Sequence, residues 1–169
     1  EKVIADMVAI MKEQFSEKFK VINESFSQVF AEIFGGGRAR LTLTEPDNIL
    51  ESGVSIDVQP PGKAVKSMVL LSGGEQALVS IALLFAILKV RPAPFCVLDE
   101  IEAALDDVNV YRFADFLKKF AQDSQFIVVT HRRGTMQAAN MLYGVTMQEQ
   151  GVTNILALNM NQVEIEGVE

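Results

Sequence analysis

Two neighbouring acids at the end of an apolar run, Asp99 and Glu100, are the residues of this chain best suited to chemistry on a phosphate. Mg²⁺ takes hard oxygen ligands and keeps much of its water, so one carboxylate can serve its shell. A second, positioned carboxylate can act as general base toward a water molecule. Upstream, Ser72-Gly73-Gly74-Glu75 opens another apolar run. Ser72 followed three residues later by Glu75 is a capping-box pattern, which by itself accounts for those two residues. It leaves the glycines unexplained, because glycine is costly in a first helical turn. Paired glycines let backbone approach a ligand with no Cβ in the way. The free N–H groups and positive dipole end of such a helix suit an anion. Further on, Asp106 sits in an acidic turn and His131 ends a β-branched run. An imidazole at a strand end can hydrogen-bond a phosphate oxygen or an attacking water. A lone histidine is by itself more often structural.

The elements that must position these groups follow from the pattern. Ala77 to Val90 is apolar except for Ser80 and Lys89 and reads as a core helix, too short to span a bilayer. Pro94 to Leu98 is a short apolar run with Pro92 before it and charge after it, as expected of a strand buried on both faces. Asp99 and Glu100 then fall at its carboxyl end, where ligands bind in open α/β sheets. Phe126 to Thr130 reads as a second buried strand, parallel to the first, which brings His131 to the same sheet edge. Between them, Asn109 to Phe120 carries Val110, Phe113, Phe116 or Leu117, and Phe120 at helical spacing. Asp106 and Asp107 favour the start of that helix, and Lys118 and Lys119 its end.

The flanks are of a different character. Phe15, Phe19, Ile22, Phe26, Val29 and Ile33 recur at alternating steps of four and three, a heptad seam. Ile4, Met7 and Met11 continue it with one irregular step. An ordinary amphipathic helix on a globular core fits the same pattern. Gly35-Gly36-Gly37 ends the helix, and two antiparallel edge strands follow around Leu41–Leu43 and Val54–Val58. Arg38 and Arg40 read as solvated residues on the first of these. Residues 64–68 read as a loop. Gly134 to Asn140 reads as a short helix, Met141 to Gln148 and Ile155 to Leu158 as a terminal hairpin, and Asn161 to Glu169 as a frayed acidic end. Arg132 and Arg133 beside His131 are either solvated turn residues or contacts to a partner.

Composition bounds the rest. The 169 residues, 49% hydrophobic and 22% charged, suit one globular domain with a sizeable core. A net charge of −7 argues against a broad nucleic-acid-binding surface on this segment. The single cysteine, Cys96, lies in an apolar run and suits packing in a reducing compartment.

Leu71 to Gln76 resembles the signature motif of ABC-type ATPases, and Phe95 to Glu100 is similar to their Walker B strand. Ala104-Leu105-Asp106 resembles the D-loop, and Val129-Thr130-His131 the switch histidine. More narrowly, Ala82–Val90, Pro94–Asp106 and Gly134–Met147 resemble the C-terminal head lobe of SMC (structural maintenance of chromosomes) proteins of the bacterial condensin type. The resemblance implies an α/β fold, the C-terminal half of an ABC-type head. That half has a mainly parallel sheet with flanking helices, antiparallel edge strands and an N-terminal coiled-coil helix. Residues 1–34 would be the end of the arm and 35–169 the lobe. No P-loop is present: Gly62-Lys63 lacks the glycine five residues earlier, where Asp57 stands, and the following Ser or Thr, where Ala64 stands. The chain therefore reads as half of a head from a longer protein.

The same resemblance implies an ATP- and Mg²⁺-dependent ATPase that is complete only with partners. Those are an N-terminal lobe carrying the P-loop, a second head in a homodimer, and a kleisin subunit. DNA would be engaged mainly through the assembled complex, in the cytoplasm on the nucleoid, with no membrane. Ser72, Gly73, Gly74, Glu75 and Asp106 would contact ATP across the dimer. Asp99 would serve Mg²⁺ through water, Glu100 would activate the attacking water and His131 would sense the γ-phosphate. Gln76 stands where many SMC relatives carry arginine. Other readings are the head of a related DNA-repair ATPase, an inactive kleisin-docking module, and a transporter ATPase subunit, the last disfavoured by the heptad helix.

Overall fold

The computed structural model describes residues 2–63, 67–122 and 124–160. Helix α1 (Lys2–Phe34) changes character along its length. Ile4, Met7 and Met11 are exposed, whereas Phe26, Val29, Phe30, Ile33 and Phe34 are buried. The seam predicted from the heptad thus broadens at its base into the wide apolar face of a globular core helix. The glycine run ends it as expected. Gly35 has φ 72°, and the Gly36 N–H returns to the Ala31 carbonyl at 2.7 Å, a left-handed Schellman closure.

Strands β1 (Arg38–Leu43) and β2 (Val54–Gln59) form an antiparallel pair, Arg38 opposite Gln59 and Leu43 opposite Val54. Among the described residues this pair is a sheet of its own rather than the edge of a larger one. It is tied to α1 by Asn23. That side chain accepts the Leu41 N–H at 2.7 Å and donates to the Leu41 carbonyl at 3.1 Å, completing an unpaired stretch of strand edge.

Helix α2 (Gly73–Val90) forms the centre of the core, burying Leu78, Val79, Ile81, Ala82, Phe85 and Ala86. Its 18 residues are long and apolar enough to cross a bilayer by composition, beyond what the shorter 77–90 run indicated, and it packs here as a core helix. Ser25 of α1 donates to the Ala86 carbonyl at 3.0 Å. Helix α3 (Asp107–Phe120) buries Val110, Phe113, Phe116 and Leu117. Phe85 lies within 6.3 Å, ring centre to ring centre, of Phe113, Phe116, Phe120 and Phe126.

Strands β3 (Phe95–Asp99) and β4 (Gln125–Val129) pair in parallel, with Asp99 opposite Val129. Two expectations are corrected here. The sheet is not mainly parallel: among the described residues this is the one parallel pair, beside two antiparallel pairs. Nor are these strands buried on both faces. Leu98 is buried, and Cys96, Phe126 and Val128 pack toward the core. Phe95, Val97, Ile127 and Val129, on the opposite face, are each about half exposed. The cause is coverage: α2 and α3 lie on one side, and no described element of this chain lies on the other.

Helix α4 (Arg133–Ala138) packs on α3, so closely that a Cβ at Gly134 would sit 2.9 Å from a Val110 methyl. Strands β5 (Met141–Glu149) and β6 (Val152–Asn159) form the expected terminal hairpin, each longer than the pattern indicated. Of the predicted loop over 64–68, residues 64–66 lie outside the described residues, and Met68–Leu70 is a 3-10 turn. The predicted frayed end, 161–169, also lies outside them.

Phe85→Ala should lower the unfolding free energy by about 3–5 kcal/mol in urea denaturation, since it empties a site lined by four rings. A loss under about 1 kcal/mol would contradict Phe85 as the centre of the core.

Candidate functional site

The start of α2 is capped as its sequence predicts. Ser72 Oγ accepts the Glu75 N–H at 3.4 Å, and Glu75 Oε2 accepts the Ser72 N–H at 3.1 Å. Both halves of the capping box are therefore formed. The two glycines behave differently. At Gly73 a Cβ would meet nothing within 4 Å, so the first turn is open to an incoming group. At Gly74 a Cβ would lie 3.3 Å from the Ala104 carbonyl oxygen and 3.7 Å from the Asp106 nitrogen. Gly74 thus sits in close packing of the acidic turn on the helix start, where a side chain would force the turn back by a few tenths of an ångström. Gln76 Nε2 donates to the Leu71 carbonyl at 3.0 Å and ties the preceding turn to the helix.

Lys63, weighed in the sequence only as a P-loop lysine, adds a cation beside the helix start. Its ammonium lies 2.7 and 2.9 Å from the two Glu75 oxygens. That ammonium, with the Ser72 N–H and hydroxyl, holds the Glu75 carboxyl below its ordinary range, against the opposing effect of partial burial. Glu75 is therefore fully engaged in holding Ser72 and Lys63. A cleft of about 410 Å³ opens beside them, with Arg112 and Asp106 also on its wall. A larger, shallower concavity of about 640 Å³ over Pro60–Lys63 carries none of the candidate residues.

The second half of the site is the exit of β3 and β4. Asp99 is still in the strand and shares by alternation the open face of Phe95 and Val97. Glu100 leaves it with φ 47°, the one non-glycine positive φ among the described residues. Such a conformation costs about 1–3 kcal/mol and clusters at functional positions. Strand alternation therefore stops at Asp99 and does not set the direction of Glu100. The Glu100 N–H pairs with the Val129 carbonyl at 2.9 Å, and its carboxylate Oε1 lies 3.3 Å from His131 Nδ1. Both side chains are more than half exposed.

From Glu100 the chain runs through two tight turns, Ala103 N–H to the Glu100 carbonyl and Leu105 N–H to the Glu102 carbonyl, each at 3.0 Å. It reaches Asp106, whose Oδ1 caps α3 by accepting the Asn109 N–H at 2.8 Å. The structure thus brings Glu100 to His131, and Asp106 to Gly74, while Glu75 faces Lys63. Arg132 is not a solvated turn residue: Nη2 donates to the Leu105 carbonyl and lies 3.4 Å from Asp107. Pattern reading passed over Glu102, which is 1% exposed and accepts hydrogen bonds from Thr130 and Thr135. Its signal was an acid set between Ile101 and Ala103-Ala104.

Among the described residues no three acid, cysteine or histidine side chains gather as a metal cage. The exposed carboxylate of Asp99 fits a Mg²⁺ ion that keeps most of its water.

The model of the RecF/RecN/SMC N-terminal domain matches residues 5–154. The chain belongs to the RecF/RecN/SMC family. It is 56% identical over 163 residues to the chromosome partition protein Smc of Bacillus subtilis, covering 96% of this chain and 14% of that protein's length. A solved structure from work on ATP-driven dimerization and DNA-stimulated activation of SMC ATPases superposes with a TM-score of 0.81 at 43% identity. It covers 89% of this chain and 91% of that one. The Smc head of Pyrococcus furiosus, with an extended coiled coil and bound to the C-terminal domain of ScpA, gives 0.79 at 41% identity, covering 95% and 41%. The fold is that of the SMC ATPase head, mixed α and β.

The depressed Glu75 titration has a definite sign. The folded pKa lies below the ordinary 4.5, so its pairing stabilises above that pH and is lost as pH falls through the folded value. Lys63→Met should move the Glu75 carboxyl titration upward, read by side-chain carboxyl NMR; an unmoved titration would remove Lys63 as its principal cause.

Proposed function

We propose that the chain is the C-terminal lobe of a bacterial SMC head, half of a composite ATP-hydrolysing site whose phosphate cradle lies on another lobe. The observation that carries this reading is Glu100 Oε1 lying 3.3 Å from His131 Nδ1. The same exit of the sheet leads by two turns to the packed Gly74 and open Gly73. The assignment to this lobe rests on residues 71–131 carrying the signature, Walker B, D-loop and switch-histidine patterns with no P-loop. The chain accounts for 41% of the archaeal head-and-coiled-coil chain it superposes on, consistent with half a head and part of the arm. The half-exposed Phe95, Val97, Ile127 and Val129, with Asp99 on the Phe95 and Val97 face, offer the N-terminal lobe its seat. The exposed upper part of α1 suits the other strand of a coiled-coil arm.

In that assembly Ser72 and the Gly73–Gly74 backbone close on the γ-phosphate of ATP bound to a second head, with Lys63 and Glu75 holding the helix start. Asp99 would hold hydrated Mg²⁺ on the same head as the P-loop of its own N-terminal lobe. The ion, when bound, neutralises charge on the β- and γ-phosphates. Glu100 orients the attacking water and takes its proton; His131 donates to a γ-phosphate oxygen and is held by Glu100. Asp106 faces the partner across the dimer while its Oδ1 caps α3. ATP then joins the heads and hydrolysis separates them.

The likeness to chromosome partition proteins favours chromosome segregation and condensation over DNA repair. On this reading the protein works in the cytoplasm on the nucleoid, with DNA bound mainly by the full complex. A kleisin of the ScpA kind is the second partner. The β5–β6 hairpin, with Tyr143, Val145, Ile155 and Leu156 exposed, and α1 are both candidate seats for it.

In the full-length protein, Glu100→Gln should lower ATP turnover by about 10²-fold or more and accumulate ATP-bound dimers in analytical ultracentrifugation. Ser72→Arg should abolish those dimers while each head still binds ATP. Turnover near wild type in the first variant would overturn the role of Glu100, and equal loss of binding and dimerisation in the second would remove Ser72 from the shared interface.

A further inference from the structure

Glu102 is the one buried acid or base among the described residues, at 1% exposure. Its Oε1 accepts the hydroxyls of Thr130 and Thr135, the latter at 3.0 Å. Its Oε2 is buried with no partner among the described residues. Thr130 Oγ1 in turn accepts the Arg132 N–H at 3.0 Å. Desolvating a carboxylate costs several kcal/mol, and no ion pair to Glu102 forms among the described residues. An apolar residue of similar size would pack this turn at lower cost, so packing explains neither the carboxyl group nor the paired hydroxyls. What the arrangement does accomplish is geometric. Both ends of the 130–135 segment are pinned to one atom of the turn that follows Glu100, and between the pins His131 faces Glu100. From the other side, Arg132 holds the Leu105 carbonyl, so the segment cannot slide along the acidic turn without breaking that part-buried contact.

We propose that Glu102 is a positioning residue that, through Thr130 and Thr135, sets the His131 imidazole against the Glu100 carboxylate. This rests on the ATP-hydrolysis reading for its effect on rate, but not for its effect on the loop. A misplacement of about 1 Å at a reacting group can cost on the order of 10²-fold in rate, which is the scale a slackened 130–135 segment would produce.

The test uses the full-length protein with Glu102→Ala, Glu102→Gln and Thr130→Val. The readouts are kcat and KM for ATP, and amide hydrogen exchange of segment 130–136 without nucleotide. Glu102→Ala and Thr130→Val should lower kcat by about 10–100-fold with KM changed less than about twofold. Both should speed exchange in that segment alone. Glu102→Gln, whose amide oxygen still accepts both hydroxyls, should keep kcat within about threefold of wild type. Should Glu102→Ala fail to fold, Thr130→Val carries the test. The proposal is overturned by a wild-type kcat in Thr130→Val, by exchange that rises across the whole lobe, or by a glutamine variant as impaired as the alanine one. If the unaltered protein turns over no ATP, the hydrolysis reading falls separately, and local exchange still decides whether Glu102 holds the loop.

Discussion

A single close approach organises the site: the acidic turn after β3 lies so near the start of α2 that a side chain at position 74 would press on the Ala104 carbonyl at 3.3 Å. Glycine keeps that approach free of a Cβ that would push the turn back by a few tenths of an ångström. Because of it, the capped, open N-terminus of a core helix and the carboxylates at a strand end belong to one surface rather than two. The helix cannot shift along its axis without moving the turn, and the turn is in turn bolted to the loop carrying His131 through Glu102 and Arg132. Rigidity is therefore concentrated where buried contacts are dense, while Gly73, Asp99, Glu100 and His131 stay exposed on top of it.

That division explains why the surface looks incomplete. Asp99, Glu100 and His131 line neither of the two concavities beside the start of α2 and over Pro60–Lys63. One face of the β3–β4 pair shows four large apolar side chains. Exposed apolar surface on this scale marks a place where something else packs. A sheet that buries one face against α2 and α3 and leaves the other open fits a lobe that shares its sheet with a partner, and the open face is the one that carries Asp99.

Much of this was legible in the residues. The Ser72–Glu75 box and the glycine stop after Phe34 follow from local rules acting on short segments, and the expected parallel pairing of β3 with β4 put the two acids and His131 at one sheet edge. The helix spacing of Val110, Phe113 and Leu117 also gave the buried face of α3. What was misread depends on what lies beyond a segment. An apolar run such as Phe95–Leu98 announces burial, but not whether this chain or another supplies the cover. Glu102 gave little sign because its role comes from threonines 28 and 33 residues away. Arg132, apparently a turn residue, became a strut only once the Leu105 carbonyl was folded beneath it. The left-handed backbone at Glu100 likewise arises from tertiary closure, since glutamate has no preference for it.

The central claim is that a catalytic half-site exists here whose phosphate cradle is on a separate lobe. It is tested most directly by co-expressing this chain with the P-loop-bearing N-terminal lobe and measuring ATP hydrolysis of the purified pair against each part alone. The account predicts a stable complex with ATPase activity that neither part shows by itself. Hydrolysis by this chain alone, or a folded complex that binds ATP and never turns it over, would contradict it.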